Sequence, residues 1–339
     1  MTQPFRFAPL LAGWAFILAC GLTATVAHAA DATLLVLHKK AESLGFYDRT
    51  SGKLLASVPV GTVPHEMVVS ADHRFAYVTN YGVGTYTDKD PGGNTVSIVD
   101  LVRREKVGEI GLGVCRRPHG IELGRSGRLY VTVDNPGSLL VIDPDKRTVI
   151  ARHDVGSGLP HMVTVTKDET KAWVANAGAG TVTAVRFGPP VRLATIAVGG
   201  VPMGMALSRD GRQLYATTRG GNEVVVIDTA TDAVLQRIPV VGEPARLLFT
   251  RDEKQLLVSL MVSGEVAVLD PRSRREVSRF KVGKAPEGLA LDEGNGFGFV
   301  SAQNDARVVK FALGDFHRVL DIATAEQPDP LIVLDEVKP

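Results

Sequence analysis

The chain has 339 residues, 45% hydrophobic and 6% aromatic, with 38 basic side chains against 37 acidic ones. That balance excludes the basic footprint of a non-specific nucleic-acid binder, and the scarcity of aromatics leaves no stacking platform for single strands. Two cysteines, Cys20 and Cys115, allow at most one disulfide, and none once a leader has been removed.

Residues 1–29 read as a secretory signal peptide. Arg6 is the only charged side chain ahead of an apolar stretch from Ala8 to Val26, and Ala27-His28-Ala29 supplies a small-x-small site for cleavage after Ala29. The implied location is the periplasm or the exterior. An alternative overlaps it: Ile17-Leu18-Ala19-Cys20-Gly21 is close to a lipoprotein-processing site. Lipid on Cys20 would tether the protein to a membrane through residues 21–32.

Residues 30–339 read as one domain. Residues 33–61 carry three short apolar runs (LLVLH, LGFYD, LLASVPVG). After them a proline marks each unit: Pro64, Pro118, Pro160, Pro202, Pro244, Pro286 and Pro328, at intervals of 42 residues from Pro118 onward. A period of that length is the mark of a propeller or solenoid. Each unit opens with the proline and an apolar run (PHGIEL, PMGMAL, PEGLAL). A polar turn such as Ser208-Arg209-Asp210-Gly211 leads to a second run. A third run ends in aspartate (Asp100, Asp143, Asp228, Asp270), and a fourth ends in Val-Gly. Four short β-branched runs closed by turn residues describe a four-stranded antiparallel meander. The aspartates, recurring at one phase, fit turn caps that accept from backbone N–H groups. The predicted blades are 64–113, 118–158, 160–200, 202–242, 244–284 and 286–325, with a closing blade formed by 328–337 and 33–61. The expected fold is all-β: a seven-bladed β-propeller of four-stranded antiparallel blades. Its ring is closed by the C-terminal strand pairing with the N-terminal strands, which leaves no long bare edge.

The recurring P-H-G, S-x-D-G, Tyr77-Val78-Thr79-Asn80, VSIVD and V-G elements are clearest in 64–113 and 202–242. They resemble the YVTN-repeat β-propeller family of secreted and surface-layer-like bacterial and archaeal proteins. The resemblance implies the same ring and an extracytoplasmic setting, while its repeat hosts several functions. It is also similar in fold and repeat to lactonase and streptogramin-lyase propellers, which implies a hydrolase or lyase, with a divalent metal, as one alternative. Similarity to the haem-binding propeller of cytochrome-type nitrite reductases implies a haem-type cofactor as another.

The unit from Pro64 carries 12 extra residues, which fall within 81–93 between its second and third runs. This insertion emerges on the face where the proline-led segments begin, and is expected to form a lid or wall over the channel mouth. Its stretch Asp88–Asn94 lacks the alternating ligands and distal Glu of a calcium loop.

Three histidines follow the period proline directly in consecutive blades: His65, His119 and His161. His38 aligns with Asn80 in the adjoining blade. Since the first run of each unit is innermost, the four are expected to arc around one side of the channel mouth. Asn80, Tyr81, Arg117, Asn176, Arg219 and Glu287 are candidate ligand-binding neighbours, and Lys39, Glu42, Arg116, Asp134 and Asp329 fall nearby. Nucleophile elbow, P-loop and dinucleotide fingerprint are all missing from the sequence, and no catalytic residue is assigned. The primary reading is a binding protein for a small-molecule or protein ligand at this mouth. His65, His119 and His161, with Glu66 or Glu287, are the candidate metal ligands. Inner strands diverge from the axis, so looser spacing than a bare metal needs is expected. That favours an organic anion or a cofactor bridging the imidazoles.

Overall fold

A computed structural model describes residues 1–2, 33–292, 294 and 296–334. The leader and Cys20 fall on residues outside this set. The described residues form seven four-stranded antiparallel sheets. Blade 1 places Pro328–Leu334 beside Thr33–His38, Ser43–Asp48 and Leu54–Pro59. Blades 2 to 7 each run outward in chain order from an inner strand. These inner strands are Pro64–Val69, Arg116–Leu123, Pro160–Val165, Val201–Leu207, Pro244–Phe249 and Pro286–Leu291. Each inner strand touches the next, and Pro328–Leu334 lies between those of blades 7 and 2, closing the ring. The single helical turn among the described residues is Gln303–Asp305.

The core lies between blades rather than inside any one. Tyr77, Val96, Ile98 and Ile110 of blade 2 meet Ile121, Leu129, Val131 and Leu140 of blade 3. At the closure seam Leu34, Val36, Tyr47 and Leu331 pack on Phe299, Val308 and Ile322. Central strands are therefore buried on both faces, as in Thr33–His38, whereas outer strands such as Leu54–Pro59 face water. The third-strand aspartates cap turns as their phase predicts. Asp100 accepts from the N–H of Val102 and Arg103, Asp228 from Ala230 and Thr231, and Asp270 from Arg272.

Two local devices shape the mouth. The residue before the period proline is left-handed in six blades: Val63 (φ 42°), Arg117 (58°), Leu159 (55°), Glu243 (60°), Ala285 (51°) and Gln327 (56°). For Val63 this is a strained conformation that its surroundings must over-determine. They do, because its carbonyl accepts from Tyr81 N–H at 3.1 Å; Leu159, Glu243, Ala285 and Gln327 likewise accept from Ala177, Met261, Gln303 and Lys39. The second device is glycine two residues after the proline. A Cβ on Gly120, Gly204 or Gly288 would run into the backbone carbonyl of His161, Ala245 or Asp329 in the next blade. Neighbouring inner strands are that close.

Truncation after Gln327 removes the inner strand of blade 1. Leu331 and Leu334 then leave the core, and each buried leucine stabilises by roughly 1.5–3 kcal/mol. The backbone of Thr33–His38 also becomes a bare edge. The truncated chain should melt roughly 10 °C lower or aggregate, as read by thermal unfolding. Unchanged melting would refute closure by this strand.

Candidate functional site at the channel mouth

Two rings of side chains, each one residue per blade, build the mouth. The inner ring is the residue after each period proline: Asp329, His65, His119, His161, Met203, Ala245 and Glu287 in blade order. The outer ring is the residue one place after the Asn80 phase, at or near the end of each second strand, and includes Lys39, Tyr81, Asp134, Ala177 and Arg219. Both open to one cavity of about 740 Å³, and the inserted loop adds Gly84, Thr85 and Tyr86 to its wall.

The three imidazoles are packed far more closely than diverging strands suggest. Ring centroids are 3.7 Å apart for His65 and His119, and 3.9 Å for His119 and His161. Tyr81 stands edge-on to His65 and His119 at 5.3 and 5.5 Å, and its hydroxyl donates to Asp134 Oδ2 at 2.6 Å. Threonine hydroxyls set the spacing: Thr79 Oγ1 donates to the His119 carbonyl at 2.8 Å, and Thr132 Oγ1 to that of His161 at 2.6 Å. Candidate ligand atoms of His65, Glu66 and His119 lie within 4.8 Å of one another.

Arg246 lines the same cavity as the imidazoles. Its guanidinium pairs closely with Glu66 of blade 2, and lies 3.7 Å from Glu287 of blade 7 and 3.9 Å from Asp329 of blade 1. It also reaches Met162 Sδ at 2.7 Å in blade 4. Burial opposes its charge, but Glu66, Asp329 and Glu287 together more than offset that and hold it protonated. Lys39 pairs with Asp329.

The charges decide what the imidazoles are. Burial, and after it the cations Lys39 and Arg246, hold His65 well below the ordinary histidine range. Burial and its two histidine neighbours do the same for His119, and burial with Arg246 for His161. All three are neutral at pH 7. Burial and then Asp329 push Glu287 up to about 7. Burial pushes Asp134 up to about 6, against the Tyr81 hydrogen bond. Buried Nδ1 atoms of His65, His119 and His161, with Glu287 Oε2 and Asp329 Oδ1, make no hydrogen bond.

Several sequence-predicted residues lie elsewhere. His38 is buried in its own blade, with Nδ1 3.1 Å from Ser43 Oγ and Nε2 3.2 Å from Tyr47 Oη. Burial lowers it to about 4. Asn80 and Asn176 occupy the equivalent place and use their amides the same way. Asn80 binds Thr95 and Ser97, and Asn176 binds Thr181 and Thr183. This last position of the second strand turns toward the third strand, so none of the three joins the imidazole arc. Arg219 does line the cavity, paired with Glu243 at 3.0 Å. Arg117 instead holds the inserted loop, donating to the carbonyls of Tyr86 and Asp90 at 3.0 and 2.6 Å and to that of Asp88. Arg246 was not singled out from sequence. Its signal is the phase where blades 3, 5 and 7 have glycine: Glu66, Met162 and Arg246 stand there in blades 2, 4 and 6, and Arg246 reaches the other two.

In sequence, residues 114–295 match the YNCE-like beta-propeller family. The chain belongs to this family. It is a propeller of the same kind as the YVTN-type repeat implied, under a different label. No curated protein matches the chain in sequence. Among solved structures, a functionally unknown protein from Desulfotomaculum acetoxidans is 13% identical at TM-score 0.76, covering 90% of this chain and 99% of its own. The periplasmic gluconolactonase PpgL of Pseudomonas aeruginosa is 19% identical at TM-score 0.73, covering 89% and 99%. Hydrazine synthase of Kuenenia stuttgartiensis is 19% identical at TM-score 0.70, covering 84% and 93%. At these identities the likeness is one of fold alone.

The Arg117 clamp is directly testable. Arg117→Ala removes three donors to loop carbonyls at an exposed site, so stability should fall by only about 1–2 kcal/mol. Proteolytic cutting within residues 84–91 should rise severalfold. Unchanged cutting would mean that the loop is held by something other than Arg117.

Proposed function

We propose that this protein is a periplasmic or secreted binding propeller whose channel mouth takes a small, positively charged ligand. The observation that carries this reading is the set of buried polar atoms without a hydrogen-bond partner in one cavity: Nδ1 of His65, His119 and His161, with Glu287 Oε2 and Asp329 Oδ1, which are in ion-pair range of Arg246 but make no hydrogen bond to it. Native structures rarely leave such atoms unpaired without a role. The charge count points the same way. Three carboxylates (Glu66, Glu287, Asp329) face two cations (Lys39, Arg246), and Arg219 is already paired with Glu243. Neutral imidazoles do not recognise an anion as imidazolium would, so the earlier preference for an organic anion gives way to a cation. The cavity volume is in the range of ordinary small-molecule sites.

The test is thermal stabilisation by a ligand panel at constant ionic strength: polyamines, guanidinium compounds, divalent transition metals and sugar acids. Binding to the folded state alone raises stability by about 2.7 kcal/mol at one hundred times Kd. Cations should raise the melting temperature and gluconate should not. The shift should grow from pH 6 to pH 8, because Glu287 loses its proton near pH 7 and gains the charge that attracts a cation. Glu287→Gln should shrink the shift and flatten its pH dependence. Stabilisation by gluconate alone would overturn the reading. Turnover of gluconolactone would move it to an enzyme, and a Soret band with added haemin to a tetrapyrrole carrier.

A further inference from the structure

We propose that His65, Glu66 and His119 form a binding site for a first-row transition-metal ion, with Arg246 as a built-in counter-cation that yields Glu66 to the metal. This rests on the reading of the mouth as a cation site and gives that site a definite occupant.

Three observations carry it. First, the donor set is chemically apt. Two neutral imidazoles and a carboxylate suit zinc, nickel, cobalt or copper(II) rather than calcium or magnesium, which prefer oxygen ligands alone. Second, the geometry is nearly assembled. The three ligand atoms lie within 4.8 Å of one another, whereas ligands of a tetrahedral zinc are about 3.3 Å apart, from bonds of about 2.0 Å. Side-chain rotations that bring the atoms together by at most about 1.5 Å close that gap. Third, the imidazoles are prepared for it. The buried Nδ1 of His65 and His119 has no hydrogen-bond partner, and neither does that of His161, which stacks on His119. A histidine held only as scaffold would spend that nitrogen on a neighbour, as His38 does with Ser43.

Arg246 makes the site conditional. Its guanidinium holds Glu66, whose Oε1 is 3.8 Å from His65 Nδ1. A metal must therefore share or take that carboxylate. Glu287 and Asp329 stand ready at 3.7 and 3.9 Å to keep the guanidinium paired when it does. Three protein ligands leave a fourth position facing the cavity, open to water or to a donor atom of an organic ligand.

The experiment starts from protein stripped with a chelator and titrates Zn²⁺, Ni²⁺ and Co²⁺ by calorimetry, with X-ray absorption on the zinc-loaded sample. One ion per chain should bind, with two imidazoles and oxygen in the coordination shell. His119→Asn and Glu66→Gln should each weaken binding at least tenfold. Arg246→Met should melt below wild type without metal, because Glu66 is left unpaired, and should gain more from Zn²⁺ than wild type does. Circular dichroism establishes that each variant is folded, and a variant that fails to fold is replaced by His65→Asn. Metal binding that survives His119→Asn and Glu66→Gln overturns the site. A smaller zinc effect in Arg246→Met overturns the exchange. Stabilisation by polyamines with no metal bound overturns the metal site and leaves the cation-binding mouth standing.

Discussion

A guanidinium buried beside the axis of a seven-bladed ring can be held only by side chains from other blades. Arg246 starts in blade 6 and finds its partners in blades 1, 2 and 7, with a sulfur from blade 4. Removing one partner from a buried ion pair costs about 3–5 kcal/mol, since the remaining charge stays desolvated. The chemistry of the mouth depends on this network. Arg246 and Lys39 help keep the imidazoles neutral, while burial and Asp329 bring Glu287 close to half-protonated at neutral pH. The same residues join inner strands that otherwise touch only their immediate neighbours.

The fold was legible because each blade repeats its own instructions. The period proline, the capping aspartate and the β-branched runs recur often enough that one irregular copy changes nothing. The closing strand was legible for a different reason. Residues 33–61 supply three runs where every other unit has four, and Pro328 begins a run with no unit to follow.

The site was only partly legible. His65, His119 and His161 share a repeat phase, and phase translates directly into a ring. The same translation placed Lys39, Tyr81, Asp134 and Arg219 at the mouth. It failed for His38, Asn80 and Asn176, because the position is right but the side chain turns to staple the third strand. Arg246 carries no such signal, because its phase is glycine in three other blades and reads as a packing position. The closeness of the imidazoles carries none either. It is set by hydroxyls of Thr79 and Thr132 that tie each inner strand to the next. Nothing in the run of residues measures the gap between strands.

The backbone of the ring repeats seven times, yet its inner ring of side chains does not. Going around it, two acids are followed by three imidazoles and then by Met203 and Ala245. Rotation by one blade therefore exchanges carboxylate for imidazole, or imidazole for thioether. In the proposed binding role, a ligand lying across the mouth would meet acids on one side, imidazoles on the next, and Met203 and Ala245 beyond them. Seven copies of one backbone unit thus frame a mouth that has no rotational symmetry of its own.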